Sequence, residues 1–247
     1  MGDDGNELVA HCATEISRFN RFRLNPFTLA GWSRLPEISA DKSVPPRLGH
    51  EGEDLAACLY YMQETSDAAL QTILERVQEV LPGFQKFEFN SFGTDRLGWA
   101  MQFSDDRGII PSVRVSHGLL LFVGLMTLCY TTNRPPVMLI EEPENGLTPT
   151  SLRAFYKAAR ELAYRDVEAK RSQILISSHS PFIICEAWNG DDRDFIHQFK
   201  VEEGHTVVRK FSEAITDQGI VLGKDESGKS TQLGLRSAEL LMSGYLS

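Results

Sequence analysis

Four apolar residues, Val137-Met-Leu-Ile140, run without interruption into Glu141-Glu142, and Pro143-Glu-Asn-Gly-Leu147 then turns the chain toward a helical pattern opened by Pro149. An apolar run with no polar alternation predicts a strand covered on both faces, the central kind found in open α/β sheets. Ligands of such sheets bind beyond the carboxyl ends of the strands. The two carboxylates therefore fall where chemistry is done. Mg²⁺ takes oxygen ligands, and a neighbouring carboxylate can accept a proton from an attacking water. On this reading Glu141, at the strand tip, holds Mg²⁺ directly or through water, Glu142 is the general base of ATP hydrolysis, and the strand is a Walker B element. Apolar runs ending in acids also occur as plain strand ends, and these residues alone leave both readings open.

The turn narrows the choice. Glu141-Glu-Pro-Glu-Asn-Gly-Leu147 resembles the Glu-Glu-Pro-Glu-Asn-Gly-Leu segment of ABC-type ATPases related to the RecF, SMC and OLD proteins, in which the turn is the D-loop. Upstream, Ser116 precedes an apolar helix expected over 119–130. Serine is a favoured N-cap, and backbone N–H groups at a helix start, with Gly118 beside them, form an anion site. Val115-Ser-His-Gly-Leu119 resembles the signature motif of the same family, which reaches across a dimer to the γ-phosphate of the other subunit's nucleotide. His117 stands where many members carry Gly and near relatives often carry Asp. The resemblance implies nucleotide contacts for Ser116, His117, Gly118 and, in the D-loop, Asn145. A further short buried strand, 173–176, ends in Ser177-Ser-His-Ser-Pro181. There His179 resembles the family's switch histidine, a partner for the γ-phosphate or for the attacking water and hence a second catalytic residue. A histidine after a strand is also commonly structural.

The rest of the chain supplies scaffold. Apolar spacing predicts a helix from residue 53 through Leu55, Cys58, Leu59 and Met62, and another over 67–81 that Pro82-Gly83 stops. Glu51-Gly-Glu-Asp-Leu-Ala56 and Leu81-Pro-Gly-Phe84 look like two weaker motifs of the same family. Phe87, Phe89, Leu97, Trp99 and Met101 alternate as an antiparallel pair turning near Gly93. A short helix over 7–19 leads into Arg18-Phe-Asn-Arg-Phe-Arg23, a surface or edge segment broken at Pro26, and 41–46 is a loop. An amphipathic helix is expected over 150–169, a short helix over 181–187, edge strands over 195–201 and 205–211, and a terminal helix over 236–245. Asp191-Asp-Arg-Asp194 precedes a strand and does not end one, which makes it a solvated loop and not a nuclease site.

Composition limits the partners. A formal net charge of −9 argues against a broad basic face for nucleic acid. A contact by the basic-aromatic run 18–23 stays possible without being shown by the sequence. Cys12, Cys58, Cys129 and Cys185 lack metal-ligand spacing and read as reduced core thiols. The longest apolar run, 119–130, is too short to span a bilayer, and the N-terminus has no signal-peptide pattern. A cytoplasmic protein with no membrane partner is expected.

Gly223-Lys-Asp-Glu-Ser-Gly-Lys-Ser230 fits the Walker A pattern G-x-x-x-x-G-K-[ST]. A phosphate loop needs a buried strand leading in and a helix leading out. Here Ile220-Val-Leu222 is brief, no convincing helix begins before Arg236, and Asp225 and Glu226 would oppose phosphate charge. In the family, Walker A also lies far upstream of the signature. A permuted phosphate loop and a polar loop before the terminal helix both remain, with the surroundings favouring the second.

The expected fold is α/β, the C-terminal part of an ABC-type P-loop ATPase head. It has a mainly parallel buried sheet flanked by helices, with an antiparallel edge. A helical and antiparallel sub-lobe is expected at 1–110 and the ATPase core at 111–247, with the lobe carrying Walker A and the Q-loop missing. The expected function is conversion of ATP and water to ADP and phosphate with Mg²⁺, by a homodimer or with a partner ATPase chain that supplies Walker A. The competing expectation is a non-catalytic interaction module that keeps the ATPase fold.

Overall fold

The computed structural model describes residues 19–38, 44–165, 171–190, 192–217, 222–224 and 230–243. The chain packs as two units, residues 1–177 and 178–247; the boundary expected at 110/111 falls inside the first. Along the first unit run β1 (Phe19–Phe22), α1 (Pro26–Leu29), β2 (Ser33–Arg34), α2 (Leu55–Glu64), α3 (Ala68–Val80), β3 (Phe84–Phe92), β4 (Arg96–Phe103), β5 (Ile109–Pro111), α4 (His117–Tyr130), β6 (Val137–Glu141), α5 (Pro149–Ala163) and β7 (Gln173–Ser177).

Two sheets organise this unit. β1, β6 and β7 form a parallel sheet with β6, the apolar run ending in Glu141, at its centre. The pairing is in register from Phe19 opposite Val137 to Phe22 opposite Ile140, and from Val137 opposite Gln173 to Glu141 opposite Ser177. β2, β4 and β3 form an antiparallel sheet, with β5 on β4. One face of β4 buries Leu97, Trp99, Met101 and Phe103 against the core, the period of two that a half-covered strand imposes. The fold is α/β, a parallel sheet flanked by helices and joined by an antiparallel sheet.

The helices follow their apolar text. In α4 every residue from Phe122 to Tyr130 is buried, because it packs against α1, α2, α3 and α5. A helix apolar all round has this central place. α3 begins where the Asp67 carboxylate accepts the Ala69 N–H, an N-cap that leaves fewer unpaired donors. Arg76 on α3, Tyr130 on α4 and Glu161 on α5 tie the three helices together. Arg76 Nη2 donates to Glu161 (2.7 Å) and Arg76 Nε to the Tyr130 hydroxyl (3.2 Å), which donates in turn to Glu161 (2.9 Å).

Along the second unit run α6 (Pro181–Asn189), β8 (His197–Glu202), β9 (His205–Lys210), α7 (Phe211–Asp217), β10 (Gly223–Lys224), β11 (Ser230–Gln232) and α8 (Leu235–Ser243). Its small core gathers Cys185, Trp188, Phe211, Ala214, Ile215, Leu233 and Ala238. The Asn189 side chain brackets Leu233, donating to its carbonyl (3.3 Å) and accepting its N–H (3.0 Å).

Several expectations need correction. The first helix of the sequence reading, 7–19, lies outside the described residues except Phe19, which already belongs to β1. β7 is not buried: Gln173, Leu175 and Ser177 are exposed, Leu175 at 43%, because the strand is an edge of the parallel sheet and pairs with β6 alone among the described residues. α5 stops at Ala163, where the Tyr164 N–H closes onto the Arg160 carbonyl and Tyr164 leaves helical geometry.

Cys58, Cys129 and Cys185 are buried free thiols, while Cys12 lies outside the described residues. Burial pushes the Cys58 and Cys129 thiols up to about 12 and Cys185 to about 11. The thiolate is the reactive form. Iodoacetamide at pH 8 should therefore leave Cys58 and Cys129 unmodified in the folded chain and alkylate both after denaturation, which peptide mapping by mass spectrometry would read.

Candidate functional site

The end of β6 is built by its register. Paired residues share a face of the sheet, and so do residues two apart on a strand. Arg21 lies opposite Leu139, so it is the diagonal neighbour of Glu141 on one face. Its guanidinium meets the carboxylate with both ends of the fork, Nε to Oε1 at 2.6 Å and Nη2 to Oε2 at 2.9 Å. One residue on, the Glu142 N–H donates to the Ser177 carbonyl (2.9 Å) and extends the ladder onto β7.

Glu142 then departs from strand geometry, with φ of +44°. A non-glycine residue in this left-handed region carries strain of about 1–3 kcal/mol, and such residues cluster at functional sites. The turn holds it there. Asn145 N–H donates to the Glu142 carbonyl (3.0 Å), and Asn145 Nδ2 donates to Glu142 Oε2 (2.9 Å). Thr148 Oγ1 accepts the Ser151 N–H (3.2 Å) and starts α5 after Pro149.

The turn meets the segment ahead of α4. Gly118 packs so closely on the turn that a Cβ there would lie 2.2 Å from the Gly146 carbonyl oxygen. A cleft of about 320 Å³ opens beside this contact, lined by the polar His117, Glu141, Glu142 and Asn145 and the apolar Phe22 and Leu125 among others. The Phe27 ring meets His117 edge-on at 5.0 Å. The helix starts at His117 and not at 119, and Ser116 occupies the N-cap position without a side-chain capping bond. Ser116 is exposed and makes no cap bond, so the capping role expected for it is not the one it performs.

Thus His117, Glu141, Glu142 and Asn145 share one cleft, and Gly118 backs the turn that carries Asn145. His179 belongs to the second unit, in the link Ser178–Ser180 between β7 and α6, where Ser178 Oγ accepts the Ser180 N–H (3.0 Å). Arg21 was missed as a site residue. The basic run was visible, but its partner follows only from the parallel register between β1 and β6.

The described ends of the Walker A match lack the helix that a phosphate loop leads into. Gly223–Lys224 and Ser230–Gln232 pair antiparallel as β10 and β11, with residues 225–229 outside the described residues. A strand, Ser230–Gln232, and not a helix leaves the match.

The donor set fits Mg²⁺. Glu141 brings a carboxylate to the cleft, its two oxygens held by Arg21, and no group of three or more His, Cys, Asp or Glu forms a protein cage among the described residues. Mg²⁺ is commonly held by one or two carboxylates, the rest of its shell being water and phosphate oxygens.

A parallel sheet with an acid-tipped central strand and a tight polar turn backed by a glycine is the frame of an AAA-type ATPase domain, a nucleotide-binding class. A family profile described as "AAA domain, putative AbiEii toxin, Type IV TA system" matches residues 2–185, and the chain belongs to that family. One solved structure, from "Structural biochemistry of ATP-driven dimerization and DNA stimulated activation of SMC ATPases", is 13% identical with a TM-score of 0.46. It covers 67% of this chain and 99% of its own. Another, the Smc head domain with an extended coiled coil bound to the C-terminal domain of ScpA from Pyrococcus furiosus, is 12% identical with a TM-score of 0.43. It covers 66% of this chain and 39% of its own. No curated protein matches the chain. No helix among the described residues is long and apolar enough to cross a membrane.

Proposed function

We propose that this domain hydrolyses ATP to ADP and phosphate, supplying the hydrolytic half of the site while a Walker A-bearing segment supplied elsewhere, as by a partner ATPase chain, cradles the phosphates. The observation that carries this reading is Glu142, held at φ +44° at the tip of the central strand with its carboxylate fixed by Asn145. Glu142 accepts the proton of the attacking water. Glu141 holds Mg²⁺, which when bound neutralises charge on the phosphates. Asn145 keeps the Glu142 carboxylate aimed, and His179 positions the water or the γ-phosphate. Ser116, His117 and Gly118 serve a nucleotide bound across a dimer, for which the exposure of Ser116 at the start of α4 is suited. Localisation in the cytoplasm accords with this reading.

The test is phosphate release by the chain mixed with a Walker A-bearing ATPase chain, compared with the chain alone. Turnover that requires both supports the proposal. No turnover in any mixture, with intact binding to a partner chain, would favour an interaction module, a reading to which the Arg21–Glu141 pair gives some support because it occupies the metal-binding carboxylate.

The pairing of Gly223–Lys224 with Ser230–Gln232 makes a second expectation. Lys229→Ala should leave ATP affinity unchanged within about twofold, measured by titration calorimetry. A true phosphate-loop lysine pairs directly with the β- and γ-phosphates, and its loss would remove binding.

A further inference from the structure

We infer that Arg21 is an internal counter-ion of the metal site, occupying Glu141 until a divalent cation takes its place. The inference rests on the proposed role of Glu141 and adds a regulatory step to it. Three observations carry it. The strand register puts Arg21 and Glu141 on one face of the parallel sheet as diagonal neighbours. Both guanidinium ends engage both carboxylate oxygens, at 2.6 and 2.9 Å, so the oxygens a cation would take are already in use. The pair is open to exchange, with the Arg21 side chain 61% exposed and that of Glu141 28% exposed.

Exposed ion pairs are weak because water screens them and two long side chains must be held in one geometry. A divalent cation bridged to nucleotide phosphates is a stronger partner for a carboxylate. Arg21 is thus displaced when metal and nucleotide arrive together, and its guanidinium is released from Glu141. In their absence it keeps Glu141 neutralised next to Glu142, limiting repulsion between two adjacent carboxylates. Metal entry and release of Arg21 are one exchange, and Arg21 acts as a positioning residue for Glu141.

The experiment is Mn²⁺ binding followed by the loss of the free-ion electron paramagnetic resonance signal, on the whole chain with and without ATP. Four proteins are compared: the natural sequence, Arg21→Gln, Arg23→Gln and Glu141→Gln. Arg23 lines the cleft and is not part of the pair, so its variant makes the same change in charge without touching it. Arg21→Gln should tighten the Mn²⁺ site by about two- to fivefold, the range a surface ion pair can contribute, and Arg23→Gln by less. Equal effects of the two arginine variants would show general electrostatics, and an unchanged or weaker site in Arg21→Gln would show no exchange; either outcome overturns the inference. Glu141→Gln should remove the site. Mn²⁺ binding that survives Glu141→Gln would overturn the metal role of Glu141 itself, a failure separable from that of the exchange. Circular dichroism melts of all four confirm that each is folded when compared.

Discussion

Glu142→Gln should lower ATP turnover by about 100- to 10,000-fold, the usual contribution of a positioned general base, while nucleotide affinity stays within about twofold. The substitution isolates proton acceptance. A glutamine has the shape of glutamate, its side-chain oxygen still accepts the Asn145 Nδ2–H bond seen at 2.9 Å, and the backbone tie to Ser177 is untouched. What changes is that a neutral amide cannot take a proton from water. The measurement is single-turnover phosphate release in the presence of a Walker A-bearing chain, paired with a fluorescent-nucleotide titration. Turnover at the natural rate in the variant would remove Glu142 from the chemistry. Loss of binding together with turnover would mean that the residue supports the site and does not act as the base.

How much of this could be read in the chain depends on how far apart the interacting residues are. β6 and α4 were legible because each announces itself locally: an unbroken apolar run ending in acids, and a helix with apolar residues on every side. α3 was legible to within a residue because Asp67 caps one end and Pro82-Gly83 follows the other. The antiparallel pair β3–β4 was legible from alternation and a turn. Apolar content does not say which strand is an edge, which is why β7 looked buried. The pattern at Gly223–Ser230 is ambiguous for a related reason, since the motif specifies residues and not whether a helix or, as at Ser230–Gln232, a strand follows. The ion pair of Arg21 with Glu141 spans 120 residues and depends on parallel register, to which no local signal points.

Gly118→Ala should cut turnover about 100-fold while costing about 1–3 kcal/mol of stability, the range for overpacking a tight contact. The argument starts from one distance. A methyl group at residue 118 would lie 2.2 Å from the Gly146 carbonyl oxygen, well inside van der Waals contact, and the atom it meets is backbone, which cannot rotate away. The turn 143–147 must therefore shift, or the start of α4 must. Asn145 precedes Gly146 directly, and its side chain holds the Glu142 carboxylate. A displacement near 1 Å at a catalytic group can cost about 100-fold in rate. Ser116→Ala is the control: Ser116 is exposed and makes no side-chain capping bond, so its loss should leave the unfolding free energy within about 0.5 kcal/mol. Urea unfolding of both variants and phosphate release by Gly118→Ala separate the two effects. If Gly118→Ala loses stability but keeps its rate, the turn is not coupled to Glu142 through Asn145. If it loses rate in proportion to the fraction unfolded alone, the contact is structural. A rate loss in the fully folded protein, absent in a variant that only trims Asn145 away from Glu142, would place the damage at the start of α4 instead of at the base.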